Sequence, residues 1–296
     1  MNQPFQGTVV PAVTPYLKDG TVDFKGVESV FAHFDSLPAV DGIFVTGAMG
    51  DYSVLTTQER KKIMDIALGM NLTKDWVPNT STLERDTSIE LARYAASRGI
   101  GTIGVIFPRQ CTGFAEVMDY VREILALGVR VFIYQTGNSP YPLSVDELGQ
   151  LLALQNIVGM KDSCSGRDMY RHVRYISEFG QQIVVIQGIE MLYLSSLAVG
   201  ARGVIGGGLN VYPQLLTGIR SAYDAGDVRG AAQLQAEVNS LYETISDENT
   251  TLAAIKYYLA LCGVPIGTTP RKDEPPLSEA KKAYMRGLYE RLKIPM

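Results

Sequence analysis

The 296-residue sequence is poor in the residue types on which metal, disulfide and nucleic-acid chemistry depend. Its three cysteines, Cys111, Cys164 and Cys262, are odd in number and widely spaced, with no metal-like pairing. A disulfide framework is therefore not expected, and a reducing cytoplasm is the natural setting. The two histidines, His33 and His172, both fall in helical patterns, so a histidine-based triad or a zinc site is not expected. No basic run occurs, and 27 Lys and Arg against 31 Asp and Glu leave a net charge of −4. That balance argues against nucleic acid as a partner. No apolar stretch approaches the roughly 18 residues of a membrane span. The opening residues 1–7 lack the basic and apolar regions of a signal peptide.

What is present is an apolar fraction of 46% with 20% charged residues, the balance of a globular protein. Apolar runs at Thr8–Val13, Gly42–Val45, Trp76–Pro78, Thr102–Phe107, Val129–Tyr134, Ile157–Met160, Ile183–Gln187 and Gly203–Ile205 read as buried parallel strands. Helical spacing follows each one. Val27, Val30, Phe31 and Phe34 mark the first such helix, and Ile63, Ile66, Ala67 and Met70 the second. Thr56 with Glu59, and Ser144 with Glu147, have the spacing of capping boxes. Eight strand–helix units in residues 1–225 predict a closed (β/α)₈ TIM barrel, an α/β fold. A doubly wound open sheet is the alternative, but its Gly-rich turn is missing where Val13-Thr14-Pro15-Tyr16 stands. Beyond Ala225 the strand signals stop. Residues 226–296 read as a helical extension packed on the barrel, with helices at 228–246, 251–262 and 278–292 and a Pro- and Thr-rich linker from Gly267 to Pro276.

Lys161 follows the apolar run Ile157–Met160 and precedes Asp162, Ser163, Ser165 and Gly166, which read as a loop. This spacing predicts a lysine at the C-terminal end of the sixth strand. A charged amine is costly to bury there. Desolvation lowers its pKa and leaves more free amine, the form that attacks a carbonyl to make a Schiff base. The alternative is a strand-end lysine that snorkels to solvent. Function in such barrels gathers at the C-terminal strand ends, where the second strand leads into Thr46-Gly47-Ala48-Met49-Gly50-Asp51 and the fifth ends in Tyr134.

The chain resembles the dihydrodipicolinate synthase / N-acetylneuraminate lyase family of Schiff-base-forming lyases. The resemblance rests on Gly7-Thr8-Val9-Val10-Pro11-Ala12-Val13-Thr14-Pro15, on Gly47 to Asp51 with Leu55-Thr56 and Glu59-Arg60 behind it, and on Leu143-Ser144. It continues in Asn156 to Ser163, Gln187-Gly188, Gly200 to Ile205, and Asn210 with Pro213. The resemblance implies that Lys161 attacks the keto carbon of a 2-oxo acid such as pyruvate, and that Tyr134 shuttles protons. It implies that Gly47, Ala48 and Met49 receive the substrate carboxylate through backbone N–H groups, with Gly188, Ile205 and Gly207 lining the pocket. Ser163 and Glu190 would bind substrate hydroxyls. No cofactor is implied, since the imine on Lys161 is itself the electron sink. The implied partners are a small 2-oxo acid and further copies of the chain, as a dimer or tetramer.

The sequence departs from the family pattern in four places. Ala48 and Met49 stand where the family usually carries two hydroxyls. Phe107-Pro108-Arg109-Gln110 contains no tyrosine where synthases place a pair, and no arginine is evident in Gln135 to Ser139. Gly207 replaces a serine of the sialic acid lyases. These departures point away from dihydrodipicolinate synthesis and from sialic acid cleavage. The leading expectation is an aldolase or dehydratase of another 2-oxo acid. The competing one is a catalytically weakened barrel that binds an oxo acid or acts as an interaction protein.

Overall fold

The structure, a computed structural model, describes residues 6–136, 139–163, 166–246, 250–269, 271 and 275–292. Gly137, Asn138, Cys164, Ser165 and part of the Gly267–Pro276 linker lie outside the described residues. The eight strands are β1 (Gly7–Pro11), β2 (Gly42–Val45), β3 (Asp75–Pro78), β4 (Thr102–Val105), β5 (Arg130–Thr136), β6 (Ile157–Ser163), β7 (Val184–Gln187) and β8 (Gly203–Val204). Between and after them run α1 (Phe24–Ser36), α2 (Thr57–Gly69), α3 (Arg85–Ser97), α4 (Phe114–Leu125), α5 (Val145–Leu152), α6 (Met169–Phe179), α7 (Tyr193–Leu197) and α8 (Pro213–Asp224). Three further helices follow, α9 (Val228–Ser246), α10 (Thr251–Leu261) and α11 (Glu279–Leu292).

All strand pairs are parallel, in the spatial order β3-β2-β1-β8-β7-β6-β5-β4. A parallel bridge from Asn79 to Gly104 joins the end of β3 to β4 and closes the ring. The fold is a (β/α)₈ barrel. Its strands are apolar on both faces because both faces are covered. One face fills the barrel interior with Val9, Phe44, Val77, Ile106, Phe132, Tyr134, Val184, Ile186 and Ile205. The other packs against the helices, as Val131, Ile133, Met160 and Val185 do with Tyr175 and Ile176 of α6. Each such aliphatic side chain contributes about 1.5–3 kcal/mol when fully buried. Val238 and Leu241 of α9, Ile255 of α10 and Met285 of α11 share one core with Val10 and Phe34 of the barrel.

The capping boxes form as their spacing predicts. Thr56 N–H donates to Glu59 Oε2 at 2.8 Å, and Glu59 N–H donates to Thr56 Oγ1 at 3.2 Å. Ser144 and Glu147 repeat the exchange at 2.8 and 3.3 Å. Removing such a cap costs about 0.5–2 kcal/mol.

Two local readings are corrected. Asp162 and Ser163 are not loop residues: β6 continues through them, paired as Gln135–Asp162 and Thr136–Ser163 with β5 and as Asp162–Gln187 with β7. Lys161 therefore lies inside the strand, because pairing on both sides outweighs the turn preference of Asp and Ser. The helical spacing after β7 does not form one continuous helix. A 3₁₀ turn, Glu190–Leu192, precedes the short α7, and Gln235 Nε2 donates to the Glu190 carbonyl at 3.0 Å, occupying an acceptor of that turn. No helix among the described residues is long and apolar enough to cross a membrane.

Candidate active site

One surplus residue in β6 decides what faces the barrel interior. Val131 pairs with Ile157, but Phe132 pairs with Gly159, so the register slips between them and Val158 is bulged. A one-residue slip moves every later side chain to the opposite face. Beyond it, Gly159, Lys161 and Ser163 point inward while Met160 and Asp162 point toward the helices. Gly159 has to be glycine: a Cβ there would stand 2.3 Å from the Phe132 ring. Asp162 Oδ2 accepts from Nδ1 of the buried His172 on α6 at 3.0 Å, which ties the outer face of β6 in place.

The restored register makes Lys161 the direct neighbour of Tyr134 on β5 and of Ile186 on β7. Lys161 is only 5% exposed and Tyr134 only 6%. The Lys161 Nζ lies 3.9 Å from the Tyr134 ring centroid and 6.0 Å from that of Phe44. Phe44 meets Tyr134 edge-on, with centroids 6.0 Å apart at 83°. Burial pushes the Tyr134 phenol up, but the charge of Lys161, with hydrogen bonding from Lys161 and Ser163, outweighs it. The net result is a phenol below the ordinary tyrosine range. The Ser163 Oγ is buried and makes no other hydrogen bond among the described residues. The arrangement is a buried amine beside a phenol biased toward its anion, suited to moving protons next to an amine–carbonyl adduct.

The loop after β2 is held by backbone geometry. Thr46 (φ 51°) and Asp51 (φ 60°) both adopt the left-handed conformation, uncommon for residues with a side chain. Thr46 is fixed by its Oγ1 donating to the Asn79 carbonyl at 3.1 Å and by Asn79 Nδ2 donating to the Thr46 carbonyl at 3.0 Å. Gly50 admits no side chain, since a Cβ would lie 2.9 Å from Thr46 Cα and 3.0 Å from the Ala12 carbonyl oxygen. Among the described residues, the N–H groups of Ala48 and Met49 have no acceptor, which leaves them available to an anion.

The remaining candidates form the wall around this pair. A Cβ on Gly188 would stand 1.8 Å from Ser163 Oγ, so glycine there makes room for the serine. Ile205 is fully buried in the interior cluster. A Cβ on Gly207 would lie 2.9 Å from Met49 Sδ. Met49 and Gly207, two departures far apart in sequence, are thus one contact. Glu190 is buried behind them; its Oε1 accepts from Gly208 N–H at 2.7 Å, and its Oε2 lies where a Gly206 side chain would be. Burial raises the Glu190 carboxyl above its ordinary value, against the pull of the Gly208 N–H and the Lys161 charge.

Arg109 is not brought to the barrel mouth; its exposed guanidinium lies 3.8 Å from Glu84. Two residues at the mouth carry no motif signal. Phe44 sits in a strand buried on both faces, where alternation cannot say which side is inside. Tyr52 directly follows the loop and packs on the interior cluster; its signal was only that it is the one aromatic there. No group of three or more His, Cys, Asp or Glu among the described residues is placed to hold a metal ion.

Known proteins match this chain along nearly its whole length. A model of the dihydrodipicolinate synthetase family matches residues 4–292. The 2-dehydro-3-deoxy-D-gluconate/2-dehydro-3-deoxy-phosphogluconate aldolase of Thermoproteus tenax is 28% identical over 294 residues, 96% of this chain and 91% of that one. The N-acetylneuraminate lyase of Lactiplantibacillus plantarum is 25% identical over 283 residues, 94% of this chain and 95% of that one. The crystal structure of N-acetylneuraminate lyase from Fusobacterium nucleatum complexed with pyruvate superposes with a TM-score of 0.87 at 23% identity, covering 98% of this chain and 97% of that one. At that identity the superposition speaks for the fold alone.

Proposed function

The chain belongs to the dihydrodipicolinate synthetase family, and from that premise we propose that it is a lyase acting on pyruvate or another 2-oxo acid through a Schiff base on Lys161. The observation that carries this reading is the register pairing of Lys161 with Tyr134. The free amine of Lys161 adds to the keto carbon to give a carbinolamine. Tyr134 delivers a proton to the departing hydroxyl, water leaves, and a protonated imine remains. Its positive nitrogen accepts the electron pair released when a bond to the adjacent carbon breaks, whether to hydrogen or to carbon, and an elimination from the next carbon uses the same sink. Tyr134 then moves the proton that each step requires. The Ala48 and Met49 N–H groups hold the substrate carboxylate, and Ser163 and Glu190 face the hydroxyls of its tail. No added cofactor enters these steps. A cytoplasmic homo-oligomer, dimer or tetramer, belongs to the same reading.

Met49 against Gly207 makes the wall of the pocket apolar where sialic acid lyases carry a serine, which favours an aldolase or dehydratase of a different 2-oxo acid. Borohydride reduction in the presence of pyruvate, followed by intact mass and peptide mapping, tests the proposal. A stable adduct on Lys161 is expected. No mass increase across a panel of 2-oxo acids, or an adduct on another lysine, overturns it and leaves a binding barrel as the reading.

A further inference from the structure

A buried Tyr134 cannot turn over unless its proton reaches water. The Ser163 hydroxyl beside it is itself closed off from solvent. Ala48 and Met49 offer no hydroxyl at all. Tyr52 is different: it packs against the interior cluster that contains Tyr134, Phe44 and Ile106, yet remains only partly buried. We propose that Tyr52 is a positioning residue for the chemistry at Lys161, the second phenol through which Tyr134 exchanges protons with water.

The backbone directs Tyr52 to this place. Asp51 adopts the left-handed conformation, and Tyr52 N–H donates to the Gly47 carbonyl at 3.3 Å, closing the turn from which the ring packs on the interior cluster. Behind it lies Arg60 of α2, which is buried and donates to the carbonyls of Asn79 and Ser81. Burial pushes the Arg60 guanidinium down to about 10, while the nearby Tyr120 and Tyr52 phenols act to hold it up. The Tyr52 phenol is raised by burial first and by its neighbour Tyr134 second, and lowered by Arg60. The Tyr52 phenol therefore feels the charge of Tyr134, and the Arg60 cation favours negative charge on it.

The proposal rests on the imine at Lys161. Loss of a proton from the carbon next to the imine turns the C–H pair into a carbon–carbon π bond and sends the C=N π pair to nitrogen, giving a neutral enamine. The proton goes to the Tyr134 phenolate. Tyr134 then passes it to the Tyr52 oxygen, directly or through one water, as Tyr52 releases its own proton to solvent. The reverse path delivers a proton from water to the enamine. No oxidant or reductant is involved.

Exchange of the pyruvate methyl protons in deuterated water, followed by proton NMR, reads this path without a second substrate. Borohydride trapping on the same full-length protein gives the half-saturation for imine formation. Tyr52→Phe is expected to slow exchange about 10- to 100-fold, the lower part of the range for a positioned proton carrier, with half-saturation changed by less than about twofold. Its exchange rate should also lose the pH dependence that the phenol contributes. Tyr52→Leu is expected to match Tyr52→Phe. Exchange that stays at the wild-type rate in Tyr52→Phe overturns the proposal. So does a loss confined to Tyr52→Leu, which would assign the effect to ring packing. Wild-type protein that traps no pyruvate overturns the imine reading and this proposal together, whereas normal trapping with unaltered exchange in Tyr52→Phe removes only the relay.

Discussion

Lys161 and Lys256 are both buried, and each holds its ammonium over a tyrosine ring, 3.9 Å from the centroid of Tyr134 and 4.4 Å from that of Tyr16. The two sites differ in what the tyrosine oxygen faces. The Tyr16 hydroxyl donates to Asp51 Oδ2 at 3.1 Å, and burial, followed by the Asp51 charge, pushes its phenol far above the ordinary range despite Arg271 nearby. It is locked as a donor. The Tyr134 phenol is hydrogen-bonded to Lys161 and Ser163 rather than to a carboxylate, and Lys161 draws it toward the anion against the charge of Glu190. Burial of a lysine is thus not what marks a reactive site. A lysine whose neighbouring phenol can give and take a proton is. The loop Thr46–Asp51 separates the two, with Ala48 and Met49 on one side and Asp51 on the other.

Exchanging the lysines gives the largest expected effect. Lys161→Ala should abolish borohydride trapping by pyruvate while the thermal transition remains cooperative. Lys256→Ala should keep the label on Lys161 and instead lower stability by about 2–5 kcal/mol, the cost of emptying a comparable volume of core. Labelling lost in Lys256→Ala but retained in Lys161→Ala would invert the comparison.

The tyrosines come next. Tyr134→Phe should slow imine formation about 10²- to 10⁴-fold with little change in stability. Tyr16→Phe should leave the rate nearly unaltered and cost about 1.5–3 kcal/mol, the range for a hydrogen bond to a charged group. The pH dependence follows from the same contrast. Lys161 favours the Tyr134 anion, so this phenol should titrate below the value of about 10 that free tyrosine has. In Lys161→Met that pull is gone, and burial with the Glu190 charge is opposed only by the Ser163 hydrogen bond, so the titration should move up. Ultraviolet difference titration of each protein against its Tyr134→Phe counterpart measures the shift; equal midpoints would show that the amine does not set the phenol.

The smallest effect concerns the loop between the sites. Ala48→Thr with Met49→Thr should lower the half-saturation for pyruvate trapping, by at most roughly 10- to 150-fold if both hydroxyls engage the carboxylate. The change should not reach the Tyr16 site, so the Tyr16 phenol stays protonated as before. Gly207→Ala should be poorly tolerated in the wild type, where Met49 Sδ occupies the space, and better tolerated once Met49 is Thr. Half-saturation that fails to fall in the double variant would show that backbone N–H groups already hold the carboxylate fully.

Much of the scaffold is legible in the sequence because short-range chemistry dictates it. The alternation of apolar runs with amphipathic segments gives the barrel, and Thr56–Glu59 and Ser144–Glu147 cap helices as their spacing requires. Lys161 and Tyr134 were found as strand-end candidates, yet their side-by-side pairing depends on a bulge that no composition reveals. Asp162 and Ser163 carry turn preferences that pairing with two neighbouring strands overrides. Phe44 and Tyr52 are not legible because a strand buried on both faces has no polar alternation to orient it, and a tyrosine after a tight loop has no partner in sequence. The Met49–Gly207 contact joins opposite ends of the barrel sequence, so each residue alone read only as a missing hydroxyl.

The bulge at Val158 makes the choice of reactive residue a matter of counting. Side chains of β6 beyond it meet Tyr134 or the helix layer according to whether the surplus residue is taken up as a bulge or paired into the ladder. The same strand paired without the bulge would set Met160 against Tyr134 and turn Lys161 outward toward the helix layer, with every side chain of the strand still present. The chemistry of this barrel is therefore set by where β6 bulges as well as by which side chains it carries: loss of Val158 would leave Lys161 opposite Tyr134 in an unbroken ladder, whereas loss of Met160 would slide Lys161 opposite Ile133 and off the interior face.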